Sequence, residues 1–153
     1  MRQTTMPYLT SAFIVPTSLE GAQALASEAE PTVLVAEDDE DVRALIEFSL
    51  EAAGYHVITT GDGVSALSLA MQHRPQLILL DVVMPGLSGL DICYELRAKP
   101  RTTDIPVLML SGRDAAGDID LGMTLGANYY MTKPFRPQEL VNRVQRMLAD
   151  RTW

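Results

Sequence analysis

Several residue types are scarce in this chain of 153 residues, and each shortage excludes a class of protein. The single cysteine, Cys93, excludes an intramolecular disulfide and a cysteine-based zinc site. No apolar run approaches the ~20 residues that a membrane span needs. With 12 basic against 20 acidic residues, a net charge of -8 and no basic run, a nucleic-acid surface is not expected. Residues 1–16 make a poor signal peptide, so the expected location is the cytoplasm, with no membrane partner.

The chain is rich enough in hydrophobic residues, at 47%, to build a core, and their pattern alternates between two periods. Short apolar runs predict strands over 32–36, 55–59, 76–80, 105–110 and 128–131. Between and after them, helices are predicted from the caps Asp39, Asp62 and Ser88, over 113–125 with three weakening glycines, and from Pro137 to about 150. Strands that alternate with helices predict a parallel sheet with helices on both faces, an α/β fold.

The two ends of the chain lack this alternation. Residues 1–31 are rich in Thr, Ser, Ala and Glu, and they are predicted to be an N-terminal extension, either a short helix near its end or disordered. The extension is a plain tail or an arm that docks on the domain or on a partner. Residues 151–153 are predicted to be a tail, which leaves 32–150 as one domain with no output domain expected.

A polar residue follows four of the predicted strands. Glu37 and Asp38 follow the first, Asp81 the third, Ser111 the fourth and Lys133 the fifth. The carboxyl ends of parallel strands meet at one edge of a sheet, so these side chains are expected to converge. Clustered carboxylates repel one another unless a cation joins them, and Mg²⁺ suits such oxygen ligands.

The residues at this edge also suit phosphoryl chemistry. An exposed carboxylate such as Asp81 can act as a nucleophile on phosphorus. Lys133 is one of only two lysines and can neutralise a phosphoryl oxygen. The plainer interpretation is that Lys133 forms a salt bridge with Asp81, that Ser111 caps a helix and that the acidic residues form a solvated helix start.

Taken in order, these motifs resemble the receiver domain of two-component response regulators over residues 32–150. The resemblance is carried by the following residues: Glu37-Asp38, Asp81, Met84-Pro85-Gly86, Gly89, Ser111, Gly126-Ala127, Tyr130 and Lys133-Pro134-Phe135. It implies a flavodoxin-like, doubly wound sheet of five strands in the order 2-1-3-4-5. It departs from the common pattern at Ser111, where Thr is commoner, and at Tyr129, where many relatives have Asp.

The resemblance also implies roles for individual residues. Asp81 would accept a phosphoryl group from a sensor histidine kinase or a phosphotransfer protein. Mg²⁺, or Mn²⁺ in its place, would be bound by Asp38 and Asp81, by the backbone carbonyl of Val83, and by Glu37 through water. Lys133 would pair with the phosphoryl group, and its peptide bond to Pro134 is expected to be cis.

The remaining implied roles concern the signal and its lifetime. Ser111 would bond the phosphoryl group and Tyr130 would turn inward, changing the face formed by the fourth helix, fifth strand and fifth helix. That face would contact a downstream protein or a second copy of the chain. Val83 and Arg113 would tune dephosphorylation, and an apolar Val83 predicts a slow rate. The chain would then be a stand-alone regulator that catalyses only its own phosphorylation and dephosphorylation, and not an enzyme.

Other protein classes fit the sequence less well. A magnesium phosphatase of one known class has an Asp-x-Asp motif after its first strand. Here Val83 stands in the place of the second Asp, and Asp81 follows the third strand instead of the first. A nucleotide-binding domain would need a glycine-rich loop after the first strand, and none is present. The remaining alternative is a receiver-like docking module that works without phosphorylation.

Overall fold

A computed structural model describes residues 30–112 and 116–150. Within these ranges five strands alternate with five helices, in the order β1 (Thr32–Ala36), α1 (Glu40–Ala52), β2 (His56–Thr60), α2 (Gly63–His73), β3 (Leu77–Asp81), α3 (Gly89–Ala98), β4 (Val107–Ser111), α4 (Ala116–Thr124), β5 (Tyr129–Thr132) and α5 (Pro137–Ala149). The predictions for residues 1–29, for Arg113 and for the tail 151–153 lie outside the described residues.

The five strands form one parallel sheet in the order β2-β1-β3-β4-β5, which confirms the predicted fold class and strand order. Successive strand residues point to opposite faces, so Leu34 and Ile78 belong to one buried cluster and Val33 and Leu77 to the other. The central strands β1, β3 and β4 are buried on both faces because helices cover the sheet on both sides.

Local signals set the helix ends. Asp39 caps α1 by accepting hydrogen bonds from the backbone N–H groups of Asp41 and Val42. Ser88 and Asp91 form a capping box at the start of α3, and Pro137 opens α5. Gly54 follows α1 with a φ of 101°, a left-handed conformation that suits glycine.

Four predicted strand ends, those of β2, β3, β4 and β5, were wrong by one residue. The sequence predicts that β3 and β4 end at Leu80 and Leu110, whereas the structure extends them to Asp81 and Ser111. The backbone ladder continues past these polar residues: Val82 N–H donates to Leu110 O at 2.9 Å, and Lys133 N–H donates to Ser111 O at 2.6 Å. A polar side chain at a strand end therefore does not interrupt pairing, because the ladder uses only backbone groups.

Within the described residues, the fourth helix ends one residue earlier than the pattern predicts. It spans Ala116–Thr124, and Gly126 lies beyond it with a φ of 110°. Gly126 thus belongs to the turn into β5 instead of weakening the helix. No helix within the described ranges is long and apolar enough to span a membrane.

Candidate functional site

Three carboxylates converge at the carboxyl edge of the sheet. Glu37, Asp38 and Asp81 each offer an oxygen, and these oxygens all lie within 4.8 Å of one another. The register explains the meeting, since Ala36 of β1 is paired with Leu80 of β3 and the acidic residues come directly after. Glu37 is 0% and Asp81 4% exposed, whereas Asp38 is exposed at the mouth of the cluster.

Lys133 joins two of these carboxylates. Its Nζ lies 2.7 Å from Glu37 Oε1 and 3.2 Å from Asp81 Oδ2. The lysine follows β5 and is held by its own backbone N–H, which donates to Ser111 O. The Lys133–Pro134 peptide bond is cis. The sequence suggested the pair with Asp81, but the closer pair with Glu37 was missed, although a glutamate next to a fully apolar strand signals a buried charge that needs a cation.

Burial and mutual repulsion disfavour the ionised form of the clustered carboxylates. The pKa of Asp81 is raised to about 7, chiefly by burial and then by the neighbouring Glu37 and Asp38, while Lys133 opposes the shift. Burial lowers the pKa of Lys133, but its contacts with Glu37 and Asp81 outweigh burial and raise the pKa above its ordinary value. An additional cation at this point would relieve the repulsion between the carboxylates.

Backbone groups fix both buried carboxylates. Glu37 Oε2 accepts the N–H of Asp39 at 3.1 Å, and Asp81 Oδ1 accepts the N–H of Val83 at 3.3 Å. The Val83 side chain is 72% exposed beside this site, and the role of its carbonyl as a metal ligand stays a prediction. Ser111 is 3% exposed and sits one residue past Leu110, the β4 partner of Asp81.

The two tyrosines of β5 occupy different environments. Tyr130 is half-buried and packs against the core cluster that contains Met109. A Cβ placed on Gly122 of α4 would lie 3.5 Å from Tyr130 Cε2, so this ring lies directly against α4. Tyr129 is 37% exposed, and the guanidinium of Arg143 stacks on its ring at 3.6 Å from the centroid.

The donor set fits a hard divalent cation. Carboxylate oxygens are the ligands that Mg²⁺ takes in proteins, where one or two carboxylates, waters and phosphate oxygens commonly complete its shell. Here two buried carboxylates and one exposed carboxylate face a common point, and a lysine beside them can approach an anion. The arrangement can thus hold a cation and a phosphoryl group side by side.

The fold and this site define an α/β domain with an acidic pocket at the carboxyl edge of its sheet, and the sequence identifies its family. Residues 33–145 match the response regulator receiver domain, and the chain belongs to this family. The chain is 44% identical over 116 residues to the alkaline phosphatase synthesis transcriptional regulatory protein PhoP of Bacillus subtilis, an alignment that covers 76% of this chain and 48% of PhoP. The chain therefore spans about half the length of the curated relatives it matches.

Solved structures show the same architecture. Chemotaxis protein CheY4 of Vibrio cholerae is 32% identical with a TM-score of 0.73, covering 77% of this chain and 98% of CheY4. The receiver domain of sensor histidine kinase PA1611 from Pseudomonas aeruginosa is 31% identical with a TM-score of 0.74, covering 80% of this chain and all of that domain. The PA1611 structure has a magnesium ion coordinated in its active site cleft.

Membership of this family shows that the chain is a receiver domain, a class that interacts with histidine kinases and downstream effectors. It does not test the predicted absence of nucleic-acid partners, because relatives such as RpaA of Synechocystis are DNA-binding regulators. The predicted absence of an output domain is untested for the same reason.

Proposed function

We propose that this receiver domain is phosphorylated on Asp81 in a Mg²⁺-dependent reaction, with a sensor histidine kinase or a phosphotransfer protein as the donor. The observation that carries the proposal is the position of Asp81: it ends the middle strand with Oδ2 at 3.2 Å from Lys133 Nζ and its carboxylate in the acidic cluster. The cytoplasm is the proposed location, because the kinase domains that supply phosphohistidine act there.

The chemistry follows from these groups. A carboxylate oxygen of Asp81 forms a bond to phosphorus while the phosphorus–nitrogen bond of the donor phosphohistidine breaks, and the departing imidazole nitrogen takes up a proton. Lys133 neutralises charge on the phosphoryl oxygens. The acceptor is a side chain of the protein itself, so the reaction is its own phosphorylation, and hydrolysis later transfers the phosphoryl group to water.

Asp38, Asp81 and the Val83 carbonyl would hold Mg²⁺, or Mn²⁺ in its place, with Glu37 contributing through water. The metal would supply positive charge beside the phosphoryl oxygens. The exposure of Asp38 supports its role as a direct ligand, because its carboxylate is at the open side of the cluster.

The proposed output is a change in the α4–β5–α5 face. The Ser111 hydroxyl would bond the new phosphoryl group, and Tyr130 would move with α4, against which its ring is packed. A local charge change would in this way bias a two-state element. A downstream protein, or a second copy of the chain, would bind the changed face.

Phosphorylation with acetyl phosphate and Mg²⁺, followed by mapping of the modified peptide, tests the proposal. We expect one phosphoryl group on Asp81, its loss in Asp81→Asn, and its retention in Asp120→Asn, which removes an exposed carboxylate from α4. Modification at another residue would contradict the proposal. So would a chain that acetyl phosphate does not modify and whose spectra do not change with beryllofluoride and Mg²⁺. The second outcome would favour a docking module that works without phosphorylation.

A further inference from the structure

Arg43 of α1 contacts the loop that carries two of the three clustered carboxylates. Its Nη1 donates a hydrogen bond to the backbone carbonyl of Glu37 at 2.9 Å. The Arg43 side chain is 23% exposed, and its ion pair with Glu40 is long, at 4.0 Å to a side chain that is 90% exposed. The contact with the Glu37 carbonyl is therefore the specific one, since an exposed pair at this distance contributes little.

Gly61 leaves the space in which the guanidinium lies. A Cβ at this position would be 2.8 Å from Arg43 Nη1 and 3.8 Å from the Glu37 carbonyl oxygen. The backbone of the same loop is held on its other side, because Glu37 N–H donates to Thr60 O at 3.0 Å. Arg43 thus occupies the corner between the β1–α1 and β2–α2 loops.

The hydrogen bond has a geometric consequence for Asp38. A peptide unit is planar, so fixing the carbonyl of Glu37 fixes the plane that continues to the N–Cα bond of Asp38. Of the three clustered carboxylates, those of Glu37 and Asp81 are held in buried surroundings, whereas that of Asp38 is exposed. The direction of its Cα–Cβ bond then depends on the orientation of that peptide.

We propose that Arg43 is a positioning residue for the divalent-cation site, holding the Glu37–Asp38 peptide so that the Asp38 carboxylate faces Glu37 and Asp81. This inference rests on the proposed function, which places the cation at these carboxylates. Arg43 acts through the backbone and does not touch the cation. Its positive charge opposes cation binding. Removing Arg43 should therefore weaken Mg²⁺ binding if positioning dominates and strengthen it if charge dominates.

Isothermal titration of Mg²⁺ into the full chain distinguishes the two effects. Arg43→Met removes both the hydrogen bond and the charge, and we expect Mg²⁺ affinity to fall about 10-fold, as for other groups that orient metal ligands. Arg43→Lys keeps the charge and one donor group and should recover part of that loss. Tighter binding in Arg43→Met would show that the charge alone matters, and it would overturn the inference.

Gly61→Ala tests positioning at constant charge. Its methyl group displaces the guanidinium, so Mg²⁺ affinity should fall by about 3-fold to 10-fold. In the Arg43→Met background the same substitution should have little further effect, because the group it displaces is gone. A full Gly61→Ala effect in that background would overturn the inference. This variant also keeps the test valid if Arg43→Met folds poorly.

Arg101→Met is the matched control. Arg101 also donates to a backbone carbonyl, that of Met71 at 2.7 Å, but it lies in the α3–β4 connection, away from the carboxylates. Its removal should leave Mg²⁺ affinity unchanged. If the wild-type chain itself binds no Mg²⁺, or if Asp38→Asn binds it equally well, the proposed function fails together with this inference. If both of those results are as expected and the Arg43 and Gly61 variants bind normally, the inference alone fails.

Discussion

Lys133 Nζ lies 2.7 Å from Oε1 of Glu37, a carboxylate with no exposed surface. Removing one partner of such a pair leaves the other charge buried without compensation, which costs about 3–5 kcal/mol for fully buried pairs. Since Lys133 is 24% exposed, we expect Lys133→Met to lower the free energy of unfolding by about 2–3 kcal/mol in metal-free protein. Glu37→Gln in the same background should restore much of that loss, as measured by urea denaturation.

The other lysine of the chain provides the control. Lys99 Nζ lies 2.6 Å from Glu95 Oε1 on the surface of α3 and its C-terminal cap, with both side chains a third or more exposed. Lys99→Met should change the free energy of unfolding by less than about 1 kcal/mol. If Lys133→Met and Lys99→Met lowered the free energy of unfolding equally, the burial of Glu37 would not explain the effect.

The raised pKa of Asp81 predicts a pH dependence of stability. The folded chain holds this proton up to about pH 7, whereas the unfolded chain releases it near 3.8. Between these values the folded state binds more protons, so stability falls as pH rises through this window. The amide that replaces the carboxyl group in Asp81→Asn cannot ionise. Above about pH 7 in metal-free protein, we therefore expect this variant to be more stable than wild type by about 1–2 kcal/mol, a figure reduced for solvent screening.

Urea denaturation with a chelator at about pH 5 and about pH 8 measures this difference. Asp120→Asn removes an exposed charge and should show no comparable change between the two pH values. Mg²⁺ at the higher pH should stabilise wild type and not Asp81→Asn. A wild-type chain that gains stability relative to Asp81→Asn as the pH rises would contradict the prediction.

The sequence predicts the fold and the acidic cluster because their signals are local. Each strand is a short apolar run, and each polar residue that ends a strand is brought to the same edge by parallel pairing. The need of Glu37 for a cation was predictable, but the closer approach of Lys133 to Glu37 than to Asp81 and the reach of Arg43 to the Glu37 carbonyl were not. They depend on rotamers and on the spacing of loops that are separate in sequence. The ends of β3 and β4 were misplaced because composition carries no information on a backbone ladder.

Arg97 illustrates the same limit and leads to a stability prediction. Its guanidinium donates to the carbonyls of Gly126, Thr103 and Ile105 and to Asn128 Oδ1, at 2.8–3.0 Å. Arg97→Met removes the guanidinium donor from the three carbonyls, while Asn128 Oδ1 keeps its bond from the Val107 N–H, so the free energy of unfolding should fall by about 2–4 kcal/mol. Arg97→Lys should recover less than half, because an ammonium lacks the planar fork. A loss under about 0.5 kcal/mol in Arg97→Met would show that water replaces these bonds.

The glycines of α4 predict that this helix opens more easily than its neighbours. Gly117 is exposed, and a Cβ there would meet nothing within 4 Å. Gly117→Ala should therefore stabilise the helix by about 0.5–1 kcal/mol through propensity alone. Hydrogen exchange should be faster over α4 than over α1 in wild type, and slower over α4 in the variant. Wild-type exchange no faster in α4 than in α1 would contradict the prediction.

Val83 is expected to set a long lifetime of the phosphorylated state. It lies two residues after Asp81, its side chain is 72% exposed, and its N–H donates to Asp81 Oδ1. A valine side chain has no group that can hold an attacking water, whereas an amide can place one beside the phosphorus. Val83→Asn should shorten the lifetime by about 10-fold. This is a small effect compared with the rate gain that a fully positioned attacking water can give.

The decay of phosphorylated protein after removal of acetyl phosphate measures this lifetime. Val64→Asn is the control, because Val64 is also exposed, at 60%, and lies at the start of α2 instead of next to the acceptor. Its lifetime should match that of wild type. A wild-type lifetime of only seconds, or an unchanged lifetime in Val83→Asn, would mean that water reaches the phosphorus without help from this position.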